Sequence, residues 1–453
     1  MDVNKKTVNG KTDILITIFI MVSTFIMVDS AILYLSACSI TLLLLCIKDI
    51  RATLVGFCLT GMPFMYLLQR HTGISITTAI LGVIVVQTLL LFFTNSGPGK
   101  WDIKKRNFAV YCFIAFSVYI VLLANYIISP KTQYNTYYIQ FFTVYAIFYS
   151  LGGLIIIQRK LSLQSVLIPS MFFFVTIYPL LGFTILKMPA AVVNSTIGLR
   201  SAGVVDSISI GRISGCLLLL AFCLFWESRN ELNKNIKIIL NVGLAFVMAA
   251  PILWYSQTRQ AILAVVLTII IGSIFLLLKN VKINRFQKIV VFCLPILVTW
   301  ASLYFLNWAE ENLAQKRFTE INDRSRKMLW VNAWKGISDN PINGHGFAAY
   351  YSDYNMWPHN IFLEIWYDYG FIGFCLCIMI CFFFIKRAFI SKNANYMWTF
   401  IGMYWLIVAQ ASADLPRNTV LFLFVTYILL PSHNIVSKKF IIPILYRAKL
   451  KRL

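Results

Sequence analysis

Apolar runs of roughly twenty residues, the length a helix needs to cross a bilayer, recur along most of this chain. They fall near 13–29, 31–47, 52–69, 74–94, 107–129, 137–157 and 163–186, and again near 206–226, 236–254, 259–278, 286–306, 362–385, 395–411 and 418–434. The pattern predicts an all-α integral membrane protein with about 12–14 transmembrane helices, because only helices or closed barrels satisfy their backbone in lipid. The runs among the first four are short, and a partly re-entrant course is open to them. The first run has no small-residue cleavage site after it and is expected to stay as an anchor.

One stretch breaks the rhythm. Residues 307–361 are hydrophilic, with six acids, six bases and the tryptophans Trp308, Trp330, Trp334 and Trp357. The expected organisation is therefore a transmembrane bundle over 1–306, a long outer loop over 307–361, and transmembrane helices with a basic tail over 362–453. Within the loop, Arg326 to Ile337 reads as an amphipathic helix, with Met328, Leu329, Val331, Ala333 and Trp334 interleaved with polar residues. Asn340-Pro341 and Gly344-His345-Gly346 end that pattern. A loop of this length with its own helical pieces is more often functional than a connector.

Composition sharpens the class. The 453 residues are 59% hydrophobic and 13% charged, against roughly 25% charged in a soluble domain, which excludes a soluble multidomain protein and a disordered chain. The excess of 40 Lys+Arg over 17 Asp+Glu would suggest nucleic acid in a soluble protein. Here it follows the membrane alternation instead. With the N-terminus cytoplasmic, 27 of the 40 basic residues and six acids fall on inner segments, and 13 basic residues and 11 acids on outer ones. Both termini are accordingly expected in the cytoplasm. All ten cysteines fall in apolar runs, so disulfides on the oxidising side are not expected. Cys375, Cys377 and Cys381 have no further ligand at metal spacing and read as packing residues.

The residues out of place are polar groups at the outer membrane half, where ionisable side chains are costly and point to function. Gln257-Thr258-Arg259 caps the outer end of the tenth run after Trp254-Tyr255-Ser256. Arg259 is either an interfacial snorkelling arginine or an anion ligand at a helix N-terminus. Arg200 lies in the preceding outer loop, and Arg212 follows Asp206 by about 9 Å along a helix rising 1.5 Å per residue. That depth suits a buried ion pair or a ligand contact. Arg324 and Arg326 open the amphipathic stretch, where either could be simple surface charge. His359-Asn360 closes the loop after Trp357-Pro358, and Glu364 and Asp368 follow on one helical face.

Arginines suit a phosphate or diphosphate through bidentate hydrogen bonds. A histidine can take a proton from an attacking hydroxyl near neutral pH. The outer segments carry no D-x-D pair and no dense carboxylate or His/Cys cluster, which disfavours a metal-carried mechanism. No P-loop pattern is present either. Transfer from an activated, lipid-linked diphosphate donor is the chemistry that fits.

Ser256-Gln-Thr-Arg259-Gln-Ala-Ile-Leu-Ala, then Arg326 to Trp334 leading to Pro341-Ile-Asn-Gly344-His-Gly346-Phe, and Pro358-His359-Asn360-Ile-Phe-Leu363-Glu364 followed by Gly370-Phe-Ile-Gly373 form an ordered set. In these motifs the chain resembles the bacterial O-antigen ligase and O-antigen polymerase superfamily of membrane glycosyltransferases. Arg200-Ser-Ala-Gly203 is similar to that family's first arginine-containing outer loop, and the resemblance spans roughly 200–375. It implies a GT-C-like fold and inverting, metal-independent transfer of a glycan from undecaprenyl diphosphate, with no cofactor. By matching positions His359 would be the base, with Arg259 also catalytic. Arg200, Arg259 and one of Arg324 and Arg326 would hold the diphosphate; Arg212, Asp206, Glu364, Asp368 and Asn360 would support them. Val204-Val205-Asp206-Ser207 stands where the family usually has Asn-Pro or Pro-Asn, and Arg212 has no clear family counterpart.

The resemblance further implies an undecaprenyl diphosphate-linked oligosaccharide and membrane lipid as partners, a chain-length regulator as a candidate protein partner, and no nucleic acid. The setting would be a bacterial inner membrane with the site facing the periplasm. Polymerase and ligase share these motifs and differ in acceptor: another lipid-linked repeat unit, or lipid A–core. Polymerase is the favoured expectation and ligase the alternative. A flippase for the same lipid is less favoured, because internal repeats with midplane charges are not evident.

Overall fold

The computed structural model describes residues 3–26, 30–95, 105–129, 132–159, 161–182, 184–186, 207–228, 236–256, 258–278, 323–390, 395–410 and 418–430. The expected span at 286–306 and the basic tail lie outside the described residues, as do 307–322 of the outer loop. Every described element is helical. In chain order they are α1 Val3–Phe25, α2 Ala31–Thr60, α3 Met62–Thr72, α4 Ile76–Asn95, α5 Lys105–Ile128, α6 Gln133–Arg159, α7 Leu163–Val175 and α8 Ile177–Leu181. There follow α9 Ser207–Glu227, α10 Ile236–Tyr255, α11 Arg259–Leu278, α12 Asp323–Asp339, α13 Ala349–Tyr354, α14 Ile361–Ile390, α15 Asn395–Ala409 and α16 Val420–Leu429.

Among the described residues, six stretches are long and apolar enough to cross a membrane: Ala31–Thr60, Gln133–Ile157, Leu163–Leu181, Ile208–Glu227, Ile236–Tyr255 and Ile361–Lys386. Shorter apolar helices accompany them, including Thr12–Phe25, Gln260–Phe275 and Met397–Ala409. The protein is a multi-pass helical membrane protein. Two expected spans, 31–47 and 52–69, are divided differently. α2 continues past Lys48, breaks its geometry at Asp49 (φ −159°, ψ 89°) and resumes to Thr60. The cause is local: the Asp49 carboxylate accepts the N–H groups of Arg51 and Ala52, both at 3.1 Å, and so caps a new helical segment.

α7 and α9 sit at the centre of the main core, where Phe172, Phe174, Val175, Leu217 and Leu220 are fully buried. α2 packs along α7, α10 along α9, and α16 along α6. Small residues permit these approaches: a Cβ on Gly153 of α6 would stand 2.4 Å from the Leu423 carbonyl oxygen of α16. The outer faces of α1, α2, α4 and α5 expose Ile14, Ile32, Val85 and Phe116, as lipid contact requires. Asp13 of α1 pairs with both Lys48 of α2 and Lys237 of α10. These three residues therefore lie on one side of the bundle, as the alternation of charged segments expects.

Candidate functional site

The segment carrying α12 and α13 is built onto the first turns of α14. That helix carries a break at Gly370 (φ 62°, ψ −154°), a conformation that glycine alone adopts without strain. Upstream of the break the carbonyl groups of Tyr367 and Asp368 accept the N–H groups of His345 and Gly346, both at 2.9 Å, and the N–H of Phe371 donates to the Ile342 carbonyl at 3.1 Å. The two backbones meet glycine to glycine. A Cβ on Gly370 would stand 2.1 Å from the Ile342 oxygen, and one on Gly344 (φ 71°) 2.5 Å from the Asp368 oxygen. His345 completes the dock: its Nε2–H donates to the Gly336 carbonyl at 2.8 Å while its ring stacks on Tyr367, centroids 4.4 Å apart.

Around this dock α12, α13 and α14 share a small core of Ala333, Ile337, Tyr350, Leu363 and Tyr367. The Tyr350 hydroxyl donates to the Leu329 carbonyl at 2.7 Å. Burial, with Tyr354 beside it, holds that hydroxyl's pKa above its ordinary value, so it remains a donor at any working pH. Asp368, 1% exposed, accepts the Tyr350 N–H at 3.0 Å and anchors the start of α13. Its other oxygen is buried with no hydrogen-bond partner among the described residues. Glu364, one turn earlier, is buried as well. A second contact seats the loop on the bundle, where Phe347 packs edge-on against Tyr138 of α6 at 4.9 Å.

His359 sits where this loop turns into α14. Among the described residues three non-glycines have positive φ, namely Ala348, Asn355 and His359 (φ 54°), all in this one segment. Strain of that kind, of order 1–3 kcal/mol per residue, collects at functional sites. Asn360 next to it is the helix cap: its side-chain oxygen accepts the N–H groups of Phe362 and Leu363 at 3.0 and 3.1 Å. The Pro358 carbonyl accepts the Trp330 indole N–H at 3.0 Å, tying the turn to α12. The Trp357 indole N–H donates to His359 Nδ1 at 3.0 Å. With Nδ1 accepting, the neutral ring carries its proton on Nε2. Trp357 is itself stacked on Tyr351 (5.8 Å), and Tyr351 on Tyr134 of α6 (3.6 Å), so an aromatic ladder runs from the membrane bundle to His359.

The arginines are placed unequally. Arg200 and Asp206 lie outside the described residues, as do the side chains of Arg259, Arg324 and Arg326. The backbone of Arg259 begins α11, and Arg324 and Arg326 lie in the first turn of α12. Arg212 is 4% exposed in α9, its carbonyl accepting the Tyr404 hydroxyl at 2.7 Å. Beside it, Gly211 faces the turn that leads into Arg259: a Cβ there would stand 2.5 Å from Thr258 Oγ1. Arg212 and the start of α11 are thus neighbours; Trp330 of α12 meets the turn at Pro358 that precedes His359, and Asn360, Glu364 and Asp368 follow at the start of α14. The glycine dock and the aromatic ladder were not read from sequence. Their signal was faint: glycines 26 residues apart, and tyrosines scattered between two segments.

Residues 244–378 match a family model described as O-antigen ligase. The match runs from α10 into α14, so it takes in Arg259, α12, the glycine dock and His359, and leaves Arg200, Asp206 and Arg212 outside. Among curated proteins, none matches the chain.

Proposed function

We propose that this multi-pass membrane protein, with its O-antigen ligase region at residues 244–378, is an O-antigen polymerase. It would transfer a glycan from undecaprenyl diphosphate to the hydroxyl of another lipid-linked repeat unit, from a site facing the periplasm of the inner membrane. The observation that supports this best is His359, held in a left-handed conformation at the mouth of a membrane-spanning helix inside the matched region.

In this reading the acceptor oxygen attacks the anomeric carbon on the face opposite the leaving group. The new carbon–oxygen bond forms as the bond to phosphate breaks, and the electron pair departs with the diphosphate. Arg259, Arg200 and an arginine of the 324–326 pair would stabilise that growing charge, more strongly in the transition state than in the ground state. His359 would take the hydroxyl proton. Its Nδ1 is occupied by the Trp357 N–H, so the incoming hydroxyl must displace that donor before the ring can act as base. Asn360 serves by capping α14, and Asp368 by holding α13.

A ligase using lipid A–core as acceptor would draw on the same residues. Complementation read on a lipopolysaccharide gel separates the two. Restoring a ladder in cells that show core plus one unit supports polymerase; restoring attachment in cells that accumulate carrier-linked polymer supports ligase and overturns the acceptor. His359→Ala and Arg259→Ala, each inserted at wild-type abundance, are expected to lose the activity. Full activity in both would sink the site.

A further inference from the structure

α12 has an apolar side that no part of the described protein covers. Met328, Val331 and Trp334 are 61, 55 and 50% exposed, and Lys327 and Lys335 stand among them. At 3.6 residues per turn these five positions occupy a sector of roughly 120°. The opposite side, through Ala333 and Ile337, is the one packed on α14.

The uncovered side does not end at the helix. Trp334 meets Trp366 of α14 at 5.4 Å, and Trp366 meets Phe374 at 4.2 Å. Next to them Phe371 and Ile372, 54 and 70% exposed, lie on the membrane-spanning part of α14, and Ile342, 67% exposed, is joined to Phe371 through the backbone. The apolar surface of α12 therefore runs without a break onto a surface that faces lipid. A mixture of tryptophan, aliphatic side chains and lysine on one sector matches the headgroup boundary, where rings and stems enter the acyl layer and ammonium groups meet anionic headgroups.

We propose that α12 is an interfacial helix, seated in the bilayer that α14 crosses. Met328, Val331 and Trp334 enter the acyl boundary, and Lys327 and Lys335 reach the headgroups. The seat fixes the height of the loop as well, since Trp330 on the flank of α12 holds the Pro358 carbonyl. His359 is thereby kept at headgroup depth. The inference rests on the membrane-spanning fold and these contacts, whatever reaction the loop performs.

The test uses the full chain in nanodiscs of phosphatidylethanolamine and phosphatidylglycerol, where both faces meet solvent. The emission lost in Trp334→Phe is obtained by difference from the wild type. Quenching of that component by lipids brominated near the top of the acyl chain, with little quenching by aqueous iodide, is the expected result. Quenching by iodide alone would place Trp334 in water; quenching by neither would place a protein surface over it. Either overturns the proposal. Independently, Val331→Cys is expected to react with a charged maleimide about fivefold or more slowly than Ser352→Cys, an exposed position of α13, as burial at the interface requires. Equal rates would count against the seat.

Discussion

At His359 the side chain and the backbone carry different information. Its backbone is held left-handed between a proline whose carbonyl is taken by Trp330 and an asparagine that caps α14. Its ring is oriented by Trp357, whose N–H fixes which nitrogen carries the proton. Trp357→Phe keeps an aromatic face toward Tyr351 and removes that one hydrogen bond. A net bond is worth about 1 kcal/mol, and in the proposed reaction the acceptor hydroxyl must displace it from Nδ1, so transfer activity is expected to rise about fivefold with membrane abundance unchanged. Trp357→Ala also loses the stack on Tyr351 and should not show that gain. Identical activity in wild type and both variants would show that Trp357 does not position the ring. From sequence, His359 and Asn360 stood out together as a motif. The structure separates them, one as a residue with a left-handed backbone and the other as a helix cap.

Among the elements, the decisive junction is between the Ile342–Gly346 turn and the break in α14. Neither partner is interpretable alone: an interrupted helix leaves carbonyl groups without helical donors, and a turn of this kind leaves N–H groups without acceptors. Docked, they satisfy each other. Gly370→Ala would force a Cβ into the Ile342 carbonyl at a positive φ, a cost of about 2 kcal/mol or more. The expected outcome is a lower thermal midpoint in detergent and faster proteolysis within residues 340–360. An unchanged midpoint and digestion pattern would mean the dock is not holding the loop. Sequence periodicity found α12 within a few residues of its ends, because its apolar positions recur at helical spacing. It could not find the dock, since hydrogen bonds between backbones leave only a pair of glycines as their mark.

On the scale of the whole molecule, charge ties the bundle together at one end while the loop closes the other. Asp13, 7% exposed, bridges α1 to α2 and α10 through Lys48 and Lys237. Both lysines are partly open to solvent, so the pairs are screened and worth about 1 kcal/mol together at most. Asp13→Asn is expected to lower the thermal midpoint by about one degree, with high salt narrowing the difference from wild type. A midpoint equal to wild type at low salt would deny the bridge a role in stability.

The sequence by itself determined the membrane class, the approximate places of the helices and the segment where polar chemistry gathers. Those follow from hydropathy and charge, which act along the chain and need no partner. Only the tertiary structure decided that α2 resumes beyond Asp49, that Gly344 and Gly370 bring the loop onto α14, and that a ladder from Tyr134 reaches His359. Each of these depends on atoms far apart in sequence meeting within a few ångströms, and such meetings are set by packing, to which one-dimensional pattern is blind.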